Sequence, residues 1–137
     1  MTTILMVKDD LRTAAKERAR FEIAGYDICI VPGFREAIQV LVAKQIAPQI
    51  VIISVKDYPP NTSSSDRNCA IRCAFANMLS LLREQNEKLQ VILFVPEHAE
   101  IPIVIKNDKK ITVVHSPFSF EELLKMVDDC IGKKKTI

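Results

Sequence analysis

No run of apolar residues in this sequence approaches the roughly 20 that a membrane-spanning helix requires. The opening Met1-Thr2-Thr3-Ile4 lacks the basic and apolar regions of a secretory signal, so the expected location is the cytoplasm and no membrane partner is expected. A strong charge of one sign is also missing. The 19 basic and 17 acidic side chains leave a formal charge of +2, which excludes nucleic-acid binding driven by electrostatics alone. Cysteine is sparse: Cys29, Cys69, Cys73 and Cys130 show no CxxC spacing of a zinc knuckle or redox pair. In a reducing cytosol structural disulfides are therefore not expected. No internal repeat is visible. What is present, 137 residues at 48% apolar and 26% charged, suffices for one real core and not two, so a single domain over 1–137 is expected.

Short β-branched runs alternate with longer segments of helical period, the pattern of repeated βα units feeding a buried parallel sheet. Thr3 to Val7 reads as a first strand. Asp10 to Ala24 follows as a helix capped by Asp9 or Asp10 and stopped by Gly25. Its expected inner face carries Leu11, Ala14, Ala15 and Phe21, and its charged face Arg12, Lys16, Glu17 and Arg20. Asp27 to Val31 is a second strand. Phe34 to Gln45 is a helix with Ala37, Ile38, Leu41 and Val42 turned inward. The run Ile50-Val51-Ile52-Ile53 is apolar on both faces, as a central strand must be. The stretch Tyr58-Pro59-Pro60-Asn61-Thr62-Ser63-Ser64-Ser65 is a mobile loop by composition.

Asp66 to Glu87 has helical period through Ile71, Phe75, Met78 and Leu82, and Leu89 to Val95 is a fourth strand. A helix is due next, yet Ile101-Pro102-Ile103-Val104-Ile105 holds a proline and four β-branched residues, so that helix should be short or irregular. Ile111 to His115 is a fifth strand. Ser119 to Ile131 is a final helix opened by a Ser119-Phe120-Glu121-Glu122 capping box, and Lys133-Lys134-Lys135 is a solvated end.

In this order the segments resemble the receiver domains of two-component response regulators over nearly the whole chain. Ile4-Leu5-Met6-Val7-Lys8-Asp9-Asp10 is similar to the family's opening strand with its acidic cluster. Phe21-Glu22-Ile23-Ala24-Gly25-Tyr26 resembles the close of the first helix, and Glu36-Ala37-Ile38 the second helix. Pro48-Gln49-Ile50-Val51-Ile52-Ile53-Ser54 resembles the third strand and Val91-Ile92-Leu93-Phe94-Val95 the fourth. Val114-His115-Ser116-Pro117-Phe118-Ser119-Phe120-Glu121-Glu122-Leu123 resembles the fifth strand and last helix. The resemblance implies an α/β fold of the flavodoxin-like kind: a doubly wound, five-stranded parallel sheet in the order 2-1-3-4-5, helices on both faces, and any site at the carboxyl ends of the strands.

The family's chemistry is largely absent at the matching positions. Where the resemblance puts an aspartate nucleophile stands Ser54, a poor acceptor with no general base evident beside it. Where it puts the first metal-binding acid stands Lys8, leaving Asp9, helped by Asp10. One or two carboxylates beside an ammonium make a poor magnesium site, so no cofactor is expected. The coupling hydroxyl falls at Val95, the lysine before the fifth-strand proline at Ser116, and the switch aromatic at Val113; only Asp9 and Pro117 are kept. Lys8 paired with Asp9 or Asp10, beside Ser54 and Ser116, would leave the pocket near neutral without an ion. A pseudo-receiver that is not an enzyme, and that regulates a protein partner in two-component-type signalling without phosphorylation, is the reading. It could be a stand-alone adaptor or a module of a longer chain.

Competing uses of these residues stay open. The Lys8 and Asp9 pair is an ordinary ion pair or a retained ligand-binding pair. Asp57 is a turn cap or a substitute nucleophile. A Ser54, His115 and Asp57 triad lacks a nucleophile elbow and is set aside. Cys69 and Cys73 are small buried hydrophobes or a metal or redox pair. An unusual phosphoacceptor, or a small-ligand or redox sensor, is the alternative function. The fifth-strand edge, with Ile101, Ile103, Ile105 and Val113, is a contact surface, including for a homodimer, or else the 101–105 segment folds inward and completes the core.

Overall fold

The computed structural model describes residues 3–43, 47–54, 66–86, 88–95, 107–115 and 119–130, with the backbone alone for 66–72. Along the chain run β1 (Thr3–Lys8), α1 (Leu11–Ile23), β2 (Asp27–Val31), α2 (Phe34–Val42), β3 (Ile50–Ser54), α3 (Asp66–Gln85), β4 (Gln90–Val95), β5 (Ile111–His115) and α4 (Phe120–Cys130). All five strands are parallel and lie in the order β2-β1-β3-β4-β5, the flavodoxin-like order expected. The irregular helix expected around 101–105 and the serine-rich loop at 58–65 lie outside the described residues.

Because side chains alternate along a strand, each central strand contributes to two cores. Leu5, Val7, Val51, Ile53, Val91 and Leu93 meet Ala37 and Leu41 of α2 and Phe75, Met78 and Leu82 of α3. Ile4, Met6, Ile50, Ile52, Ile92 and Phe94 meet Ala14 and Phe21 of α1 and Leu123 and Val127 of α4. Covered on both sides, β1, β3 and β4 must read as continuous apolar runs, which is why sequence periodicity finds them.

Local chemistry sets the helix ends. Asp10 caps α1: its carboxylate accepts from the Arg12 and Thr13 N–H groups at 3.2 and 3.4 Å and from the Thr13 hydroxyl at 2.8 Å. At the other end Gly25 takes φ +95°, a left-handed conformation that glycine adopts without a Cβ penalty. Its N–H bonds to the Glu22 carbonyl and that of Tyr26 to Phe21, while the Phe21 and Tyr26 rings meet edge-on at 6.0 Å. This is a Schellman closure with its apolar contact. The expected cap of the last helix is present: the Glu122 N–H donates to Ser119 Oγ at 3.2 Å, and the Ser119 hydroxyl donates to Glu122 Oε1 at 3.3 Å.

Three expected inward residues face solvent instead. Leu11 is 58% exposed and Val42 63%, and Ala15 is exposed too. The buried stripe of α1 is Ala14, Glu17 and Phe21, spaced three and four apart, and Leu11 and Ala15 fall to one side of it. Val42 ends α2, one position beyond the Leu41 that closes its buried row.

Candidate functional site

The strand-end cluster is built by register. In the β1–β3 ladder Lys8 pairs with Ser54, so the last residues of the two central strands stand side by side at the carboxyl edge of the sheet. Alternation sends both toward the α1 and α4 face, in line with Met6 and Ile52. Lys8 is buried and ion-paired through Nζ with Glu17 Oε1 of α1, itself buried; the two are the buried charged residues among those described. This corrects two expectations. Among the described residues the ion pair of Lys8 is with Glu17 rather than with Asp9 or Asp10, and Glu17 is not on the solvated face of its helix. The physical reason is the 14-17-21 stripe, which turns Glu17 toward the sheet where the Lys8 stem emerges.

Asp9 and Asp10 are exposed beyond the strand end. Asp10 is committed to its own helix. The Thr13 hydroxyl first, then the Thr13 and Arg12 N–H groups against slight burial, with a smaller pull from the Lys8 charge, hold its carboxyl below the usual range. Ser54 is half-buried. Val95, level with His115 in the β4–β5 ladder, joins the apolar core under α2 and α3 and so sits on the other side of the sheet from Lys8.

His115 is exposed two strands away from Ser54, about 10 Å across the sheet, a separation that breaks the hydrogen bond a nucleophile and base need. Ser116, Pro117, Asp57, Ile101, Ile103 and Ile105 lie outside the described residues. Val113 is half-buried and packs against the core under α2 and α3, while β5 does form an edge of the sheet.

Among the described residues no three carboxyl, imidazole or thiol groups gather to hold a metal ion. The cysteines are dispersed. Cys73 is exposed on α3, against the expectation of a small buried hydrophobe, and the side chain of Cys69 lies outside the described residues. Burial pushes the thiols of Cys29 and Cys130 up, aided at Cys130 by the Asp129 charge, which disfavours the reactive thiolate. Glu17 is the residue that sequence reasoning missed. Its signal was the helical spacing to Ala14 and Phe21, outweighed by the habit of reading glutamate as solvent-facing.

Five parallel strands in the order 2-1-3-4-5 with helices on both faces make a flavodoxin-like fold of the CheY kind. Among solved structures, the chain is similar to a response regulator receiver protein from Sinorhizobium medicae, with TM-score 0.69 and 17% identity over 96% of this chain and 94% of that one. A receiver domain from Clostridium thermocellum gives TM-score 0.69 and 14% identity, over 98% of each chain. The receiver domain of Francisella response regulator 1452 gives TM-score 0.64 and 20% identity, over 98% of this chain and all of that one. Comparison with models of protein families finds no match, and comparison with curated protein sequences finds none either. No helix among the described residues is long and apolar enough to cross a membrane.

Proposed function

We propose that this chain is a receiver-like signalling domain that works through protein contacts in a two-component-type pathway, without accepting a phosphoryl group and without catalysis. The observation that carries this reading is the buried Lys8–Glu17 ion pair beside Ser54. A receiver's phosphoryl chemistry asks for a carboxylate nucleophile and a dication held by further carboxylates. Here the position next to Ser54 holds an ammonium neutralised by Glu17, and the nearby Asp10 carboxylate is spent on capping α1. Among the described residues the donor set does not fit a divalent cation and no base stands beside the Ser54 hydroxyl, which is a poor acceptor without one. A homodimer through the β5 edge is one form such contacts would take.

Incubation with acetyl phosphate and Mg²⁺, followed by intact-mass analysis, tests the reading. Unmodified mass is expected after hours. A stoichiometric phosphoryl adduct overturns it.

A further inference from the structure

We propose that the outer edge of β2 is an interface at which two copies of this chain join their sheets, antiparallel, about a two-fold axis beside Cys29. The ladder fixes which backbone groups that edge offers. The Gln90 N–H donates to the Gln49 carbonyl at 3.4 Å while Ile50 stands level with Gln90, so Gln90 points its polar groups toward β3. Parallel strands repeat one another by translation, so Ile50, Ile4 and Ile28, which share that level, point the same way. For β2, at the end of the sheet, that direction is outward. The N–H and C=O groups of Ile28 and, two residues on, of Ile30 face away from β1 and meet no group among the described residues. The side chains agree: Leu5, Met6, Val51 and Ile52, level with Cys29 and Ile30, are at most 1% exposed, whereas Cys29 and Ile30 are half-buried because no strand follows β2. Asp27, at the first position, is the one charge in the strand, so no charge guards the middle of the edge.

This edge is complementary to itself. Antiparallel pairing of Ile28 with Ile30 of a second copy, and of Ile30 with its Ile28, puts both in hydrogen-bonded positions and meets every open group on both edges. The two-fold registers on either side fail. One sets Ile30 against Tyr26, whose N–H is already given to the Phe21 carbonyl, and the other sets Ile28 against Pro32, which has no N–H. The working register gathers the isoleucines of both copies on the α1 face. On the other face it brings Asp27 of each copy beside Val31 of the second, where α2 begins with exposed Arg35, so each end of the joint combines an acid and a base. A strand of another protein would need this spacing by chance, whereas a second copy supplies it by symmetry. The joint closes on itself and stops at the dimer. One strand pair buries less than the roughly 1,200 Å² of a standard interface, so dissociation at about 10–100 μM is expected.

Such a dimer gives the proposed protein contacts one concrete form and rests on that reading for its use, but its test is independent of the phosphodonor assay. Sedimentation velocity of the full chain from about 5 μM to about 1 mM should show monomer giving way to dimer. Over that range amide hydrogen exchange, followed by NMR, should slow about tenfold or more at Ile28 and Ile30 and change little at Cys29 and Val31, whose N–H groups already face β1. Opposed Cys29 residues would sit in a non-hydrogen-bonded position with Cα atoms about 4.5 Å apart, within disulfide reach. Copper phenanthroline should therefore trap a covalent dimer in a Cys73→Ser background, which removes the exposed thiol of α3, and adding Cys29→Ser should abolish it. Ile30→Pro deletes an outward N–H and spares the ladder to β1; it should weaken the dimer about tenfold or more with circular dichroism unchanged. If that variant does not fold, Ile30→Lys places a charge at the same edge position and should act alike. A monomer throughout, unchanged exchange at Ile28 and Ile30, a trapped dimer that survives Cys29→Ser, or a dimer that a folded Ile30 variant leaves unweakened overturns the proposal. A phosphoryl adduct with this dimer intact would remove the functional reading and leave the interface.

Discussion

The two faces of the sheet are closed by different chemistry. Among the described residues, the core under α2 and α3 is hydrocarbon, with Phe34 and Phe75 edge-on at 5.5 Å, and the polar contacts lie at its rim. Arg83 of α3 pairs with Asp108 before β5, and Gln85 Nε2 donates to the Leu41 carbonyl at 3.2 Å. Under α1 and α4 polar groups go inside. There the Lys8–Glu17 pair ties strand end to helix, and the buried Tyr26 phenol donates to Asp128 of α4 beside the Phe21, Tyr26 and Phe120 rings. An apolar face tolerates many arrangements of similar volume, whereas buried polar partners demand each other, so the second face fixes where α1 and α4 sit. It is also the face that carries the strand-end cluster.

The largest effect should come from breaking the inner ion pair. Lys8→Met leaves the Glu17 carboxylate buried without a partner and should cost about 3–5 kcal/mol in urea denaturation. Adding Glu17→Leu, which makes this face resemble the other, should recover most of that loss. If Lys8→Met alone is nearly neutral, the contrast between the faces has no energetic content.

A middling effect is expected at Tyr26. Tyr26→Phe removes a donor to a charged carboxylate and should cost about 1.5–3 kcal/mol at pH 7. Burial, then the hydrogen bond to Asp128 and the charge of that carboxylate, push the Tyr26 phenol far above its usual range. The folded state therefore keeps its proton where the unfolded state has lost it. The stabilisation is complete below pH about 10 and fades above it, so wild type and variant should converge in alkali. Phenolate absorbance should show no more than one of the two tyrosines ionising near pH 10 before the chain unfolds.

The smallest effect belongs to the rim of the apolar face. Burial pushes the Asp108 carboxyl up, but the Arg83 hydrogen bond, the Lys110 N–H at 2.9 Å and both charges outweigh it and hold it below the usual range. Its contribution is present above the unfolded value near 3.9 and is lost as pH falls through the lower folded value. Arg83→Met should cost less than about 1 kcal/mol at pH 7 and flatten the acid limb of the stability curve. A loss as large as that of Lys8→Met would erase the distinction between interior and rim.

The strand order was implied by the resemblance to receiver domains; the element types, their bounds to within about three residues, a cap at Asp9 or Asp10, the Ser119 cap and the Gly25 stop were legible in the sequence itself. They rest on interactions among neighbours and on periods of two and 3.6, which a linear reading contains. The adjacency of Lys8 and Ser54 was also legible, as a consequence of the strand order. The partner of Lys8 was not. Glu17 is nine residues away, across a strand–helix junction, and an acidic side chain on a mostly polar helix has no local feature that separates a solvated carboxylate from a buried one. Only packing α1 against the sheet decided it, by turning the row through Ala14, Glu17 and Phe21 inward, and the same rotation put Leu11, Ala15, Ala19 and Ile23 outside. A turn of one helix about its axis is a tertiary quantity, set by which side chains fit the sheet beneath, and it decided both which carboxylate meets Lys8 and which aliphatic side chains stay at the surface.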